Sequence, residues 1–130
     1  MSKARKIFPV LLLISLAGCA PAAFLAGAAA GVGGYKYYQG ALTVIYRAPY
    51  EKTWNASLKA MEEMGFTIEN ESRELSKGKI GAKLADNRPV TVSLEYISSS
   101  ETEAVIRVGV LGDEEASNVI KNKIAEVLFK

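Results

Sequence analysis

The sequence predicts an α+β fold. It should be a two-layer sandwich, with an antiparallel sheet of four or five strands carrying two helices on one face, in the order β-α-β-β-β-β-α. Three observations predict it. Several segments after Ala41 alternate apolar and polar residues, as half-buried strands do. Two longer segments repeat their apolar residues with helical spacing. The connections between successive strands are short, which favours antiparallel pairing.

Leu42, Val44 and Tyr46 alternate with Thr43, Ile45 and Arg47, giving the first strand. Ala48-Pro49 ends it, because proline donates nothing to a ladder and suits a helix start. Tyr50 to Met64 reads as a helix. Trp54, Leu58 and Met61 share one stripe, joined by Ala60 and Met64, while Lys52, Lys59, Glu62 and Glu63 lie largely off it. Gly65 is placed to stop this helix. Phe66 and Ile68, followed by polar residues through Ser72, suggest the second strand. After the turn region Ser76-Lys77-Gly78, Ile80, Ala82 and Leu84 form the third. Asp86-Asn87-Arg88-Pro89 has turn composition.

The clearest strand follows. Val90, Val92, Leu94 and Tyr96 alternate with Thr91, Ser93 and Glu95, so one face can meet a core and the other water. In the last strand Ala104, Ile106, Val108 and Val110 are expected to share a face. Asp113 is a natural N-cap for the final helix, and Glu114 and Glu115 suit the positive end of its dipole. Ala116, Val119, Ile120, Ile124, Val127 and Leu128 make its apolar stripe.

The first forty residues differ from the rest. Lys3, Arg5 and Lys6 precede an apolar run from Ile7 to Ala17, the pattern of a secretory signal. Leu16-Ala17-Gly18-Cys19 closes it and contains the one cysteine of the chain. These four residues resemble the lipobox of bacterial lipoproteins. The resemblance implies cleavage between Gly18 and Cys19, a diacylglycerol thioether on Cys19 and acylation of the new amino group. Two or more acyl chains hold a protein stably on a bilayer where one does not. Ala20 stands where an aspartate would imply inner-membrane retention, so the family analogy implies the periplasmic face of the outer membrane.

The expected organisation is a signal peptide at 1–18, a lipidated Cys19 with an Ala/Gly-rich membrane-proximal segment at 19–40, and a globular domain at 41–130. Pro21 to Gly34 is almost wholly apolar, with Ala23, Gly27 and Gly31 four apart, and Tyr35-Lys36-Tyr37-Tyr38 has the composition of a membrane-interface belt. Fourteen apolar residues are too few for the roughly 20 a spanning helix needs. A short membrane-associated helix and a flexible tether both remain open for this stretch.

The whole chain has 16 Lys+Arg against 14 Asp+Glu. Without Lys3, Arg5 and Lys6 the basic count falls to 13, so the mature chain carries a net charge of −1. Its charges are interleaved, with no basic stripe for a phosphate backbone, which argues against nucleic acid as a partner. Histidine is absent and Cys19 is assigned to lipid, which removes the usual general base, most zinc sites and a thiol nucleophile. No catalytic residue, cofactor or metal site is therefore expected.

Other candidates have simpler readings. Glu62 and Glu63 are adjacent on a helix and do not face one another. Asp113-Glu114-Glu115 is better explained as a helix start than as a calcium site. The turn Val108-Gly109-Val110-Leu111-Gly112 leads into three acids that would repel phosphate. Trp54 belongs to an apolar helix stripe rather than a ligand site, and the Asn55 and Asn70 acceptor triplets are read as coincidence. Thr91, Ser93 and Glu95 could form a partner surface or a solvated face, and an open sheet edge could take a partner strand.

The chain is similar, over nearly its full length, to a family of small bacterial, Gram-negative lipoproteins catalogued as a domain of unknown function. The likeness rests on the lipobox, the Ala/Gly segment ending in Tyr35–Tyr38, Ala48-Pro49-Tyr50 through Trp54, Met64-Gly65-Phe66, and Arg107-Val108-Gly109-Val110-Leu111-Gly112-Asp113. It carries no catalytic residue over. Helix-grip domains of outer-membrane assembly lipoproteins share the element order, which is an analogy of fold. The expected role is a non-enzymatic, lipid-anchored interaction or accessory module of the cell envelope, with the membrane and an envelope protein as partners. The alternative is a periplasmic carrier of a small apolar ligand or lipid held between the sheet and Tyr50–Met64.

Overall fold

The computed structural model describes residues 31–130, so the signal, Gly18, Cys19 and most of the Ala/Gly-rich segment lie outside the described residues. The elements are β1 (Val32–Tyr38), β2 (Ala41–Tyr46), α1 (Tyr50–Glu63), β3 (Thr67–Arg73), β4 (Lys77–Lys83), β5 (Pro89–Ser98), β6 (Glu101–Val108) and α2 (Glu114–Leu128). All six strands join one antiparallel sheet in the order β1-β2-β6-β5-β4-β3. The fold is the α+β sandwich expected, with its β-α-β-β-β-β-α order intact from β2 onward. The strand count is six rather than four or five, because Val32–Tyr38, read as part of the membrane-proximal segment, pairs with β2 as an edge strand. The sheet therefore starts ahead of the expected boundary at Ala41.

One face of the sheet carries both helices. Leu42, Val44 and Tyr46 of β2 stand beside Ile106, Ala104 and Thr102 of β6. Val90, Val92 and Leu94 of β5 continue those rows, with Ala82 and Ile80 of β4 beyond them. All are buried, and Trp54, Ala60 and Met61 of α1 and Ile120, Ile124 and Leu128 of α2 close over them. One buried hydroxyl joins the two layers, and two others are satisfied within α1 and at the β2–α1 connection. Tyr46 Oη donates to the Lys121 carbonyl of α2 at 2.8 Å. Thr102 Oγ1 donates to the Ala48 carbonyl at 2.8 Å, and Ser57 Oγ donates to the Thr53 carbonyl at 2.8 Å.

Three details correct the expected core. Tyr96, expected to follow Val90, Val92 and Leu94 inward, lies at the end of the sheet beyond the helices' cover and is exposed. β6 stops at Val108, because Gly109 adopts a φ of +77° that turns the chain, and Val110 points into solvent instead of joining the inward row. In α2, Val119 is exposed and Lys121 is buried in its place. The aliphatic stem of Lys121 lies in the apolar layer and its ammonium sits 3.6 Å from the ring centre of Tyr35 on β1. Burial pulls its pKa below the ordinary lysine value.

The β1–β2 hairpin turns through Gln39 and Gly40, both with positive φ, as a two-residue turn matched to strand twist requires. Its Gly40 meets Gly112, ahead of α2, so closely that a Cβ on Gly112 would lie 2.3 Å from the Gly40 Cα. Arg107 Nη2 reaches the Gln39 carbonyl at 2.9 Å and holds the same junction.

Candidate functional site

The alternate residues of each strand point away from the helices and make an uncovered sheet face. Lys77, Glu95, Glu103 and Ile45 stand in one row across β4, β5, β6 and β2. The next row is Ser72, Lys79, Ser93, Val105, Thr43 and Lys36. Ser72, Lys79, Ser93, Glu95, Glu103 and Val105 line a shallow depression of about 280 Å³ here. Glu95 and Glu103 are directly opposed across β5–β6, an arrangement that costs stability because like charges repel. The face combines hydroxyls, both signs of charge and half-buried aliphatic surface at Ile45 and Val105.

Thr91, Ser93 and Glu95 all lie on this face, as their alternation implied. The two sheet edges are β1 and β3. β3 carries Glu69, Glu71 and Arg73 and an irregularity between Ile68 and Asn70, features that discourage strand addition. β1 carries Lys36 as its single charged residue.

The remaining charged candidates are structural. Asp113 is the N-cap of α2 and accepts from the Ala116 amide at 3.0 Å. Its other oxygen takes Arg88 Nη1 at 2.9 Å, while Arg88 Nε bonds Asp86 at 2.9 Å. This clamp ties the β4–β5 turn to the start of α2. The backbone and Arg88 hydrogen bonds hold both aspartates below the ordinary carboxylate pKa. Glu63 does not pair with Glu62. It binds Lys123 of α2 at 3.0 Å, which lowers its pKa and bridges the two helices. Trp54 is buried against Gly78, and the Arg73 guanidinium lies 5.5 Å from its ring centre. Among the described residues no group of three acidic side chains could hold a metal ion. No helix among them is long and apolar enough to cross a membrane.

Exposed apolar residues gather at the two ends of the sheet, and alternation had set two of them, Tyr96 and Val110, on inward faces. One end carries Leu75, Tyr96 and Ile97, and Gly31 emerges there. The other carries Tyr38, Val110 and Leu111. Leu75 sits inside a hairpin turn, where no strand alternation applies. Val110 looked inward-facing because the alternation of β6 runs on through it.

These features define a small two-layer α+β domain with one face and two edges of its sheet uncovered. The chain belongs to the family described as "Protein of unknown function (DUF3568)", whose model matches residues 4–127. No curated protein matches it.

Proposed function

We propose that this protein is a non-enzymatic, lipid-anchored accessory module of a bacterial cell envelope, held by acylated Cys19 at the periplasmic face of the outer membrane. The observation that carries the reading is the run Leu16-Ala17-Gly18-Cys19 after a basic and then apolar start. The sheet begins at Val32, close behind Cys19, so the domain would sit near the bilayer. The uncovered polar face and the sparsely charged β1 edge are the surfaces it would offer to an envelope protein. The carrier reading draws less support, because Trp54, Ala60 and Met61 fill the space between α1 and the sheet.

Metabolic labelling with a fatty-acid probe tests the anchor. The wild-type chain should take the label and Cys19→Ser should lose it. An intact mass showing Cys19 unmodified, or residues 1–18 still attached, would refute the proposal. Ala20→Asp should move the protein toward the inner membrane in fractionation. Cross-linked capture from intact envelopes tests the accessory role, and repeated recovery of no envelope partner counts against it.

A further inference from the structure

We propose that the end of the sheet bearing Leu75, Tyr96 and Ile97 is a lipid-contacting end, and that the domain stands on the bilayer with this end down. The inference rests on the lipid-anchor reading and adds an orientation to it.

The register places these residues together. Val32 pairs with Tyr46, Tyr46 with Thr102 and Thr102 with Tyr96, so one row runs from β1 to β5. The Tyr96 amide then donates to the Ser76 carbonyl at 2.7 Å, which carries the row to the β3–β4 turn. Everything beyond this row lies at one end of the sheet: Gly31, the β3–β4 turn with Leu75, and the last residues of β5 with Ile97. Leu75 is 99% exposed, Tyr96 47% and Ile97 45%. Leu75 is flanked by Arg73 and Lys77 as well as Glu74, and Tyr96 is an amphipathic ring of the kind that settles at headgroup depth. An exposed leucine on a turn, beside an isoleucine and a tyrosine at the end of β5, is poorly placed for water and well placed for a lipid surface.

The opposite end is as apolar, with Val110 at 82% and Leu111 at 90% exposure. The path of the chain decides between them. Gly31 leaves the domain at the Leu75 end, where its carbonyl accepts from the Arg47 amide at 2.7 Å. Cys19 lies twelve residues earlier, a reach of at most ~43 Å when fully extended. β5 alone has ten residues, about 33 Å of strand. To bring Val110 and Leu111 to the bilayer, the segment would have to run back along the sheet, past Val108 six residues beyond the Thr102 row, and would use up much of its reach on the way. With the Leu75 end down, the same segment need not stretch.

The test uses the full-length acylated protein in vesicles of phosphatidylethanolamine and phosphatidylglycerol. The thioether consumes Cys19, so Leu75→Cys or Leu111→Cys gives a single free thiol for a nitroxide label. Both positions are exposed, so neither change disturbs packing. The label at 75 should collide with lipid-soluble oxygen relative to a water-soluble nickel chelate several-fold more than the label at 111. Equal, water-like ratios at both positions, or a lipid-like ratio at 111 alone, would overturn the orientation while leaving the anchor intact. Intact mass and co-flotation of the same samples report on the anchor. Loss of both would overturn the anchor reading and this inference with it.

Discussion

Tyr46→Phe should make the domain less stable at neutral pH and less sensitive to alkali. The Tyr46 side chain is fully buried and its hydroxyl donates to the Lys121 carbonyl at 2.8 Å. An interior helix carbonyl keeps its own amide partner one turn on, so removing the hydroxyl costs the bond rather than leaving an orphan. That is about 1 kcal/mol, or roughly 4–8 °C in Tm for a domain of this size. Burial also holds the Tyr46 phenol far above the ordinary tyrosine pKa. In the unfolded chain the phenol ionises near pH 10, while in the fold it keeps its proton. The unfolded state then binds fewer protons, and stability must fall as pH rises past that value, by about 1.4 kcal/mol at pH 11. Phenylalanine lacks this liability. The two stabilities should therefore converge above pH 10 and cross near pH ~10.7. Urea unfolding followed by far-UV circular dichroism, from pH 7 to 11, measures both. A constant gap across that range would refute the buried, donating phenol.

Four further outcomes are expected. Gly78→Ala should destabilise by about 1–3 kcal/mol through overpacking, since its Cβ would lie 2.6 Å from Trp54 Cζ3 and 2.8 Å from Tyr50 Oη; thermal melts decide it. Ser117→Ala should stabilise by roughly 0.5–1 kcal/mol, because Ser117 Oγ is buried with no hydrogen-bond partner among the described residues; a lower Tm would show that the hydroxyl is satisfied. Glu103→Lys should stabilise by about 0.2–1 kcal/mol by relieving the opposition to Glu95, and less so in high salt; denaturation at two ionic strengths tests this. Asp113 and Asp86 have lowered pKa values in the fold, so their contribution is complete above the ordinary carboxylate range and is lost as pH falls through the folded values. Asp113→Asn, which keeps a capping oxygen but not the charge paired with Arg88, should flatten the acid limb of the stability curve, and Asp113→Ala should lower Tm further.

Much of the fold was legible because burial imposes period. β5 alternates cleanly since one of its faces meets the core and the other meets water. Asp113 announced α2 because a helix start needs an oxygen for its free amides. β1 was not legible, since Gly33 and Gly34 extend the Ala/Gly run and conceal where the strand begins. The one sign was Tyr35 and Tyr37 flanking Lys36: both tyrosines pack on the core and Lys36 turns to the open face. Lys121 defeated a reading by polarity, because its stem is apolar and the Tyr35 ring on β1 receives its charge. The uncovered face could be drawn from Thr91, Ser93 and Glu95. The facing of Glu95 on Glu103 depends on register between strands, which no single segment encodes.

The contact between Gly40 and Gly112 has a wider consequence. Two backbones touch there without an intervening side chain, one in the first hairpin and one just ahead of the last helix. The edge hairpin is thus latched to an element made near the end of the chain. A chain cut short before Gly112 would lack that contact, and the first hairpin turn would lose the backbone it rests against. Even a methyl group at either position would force the latch ajar.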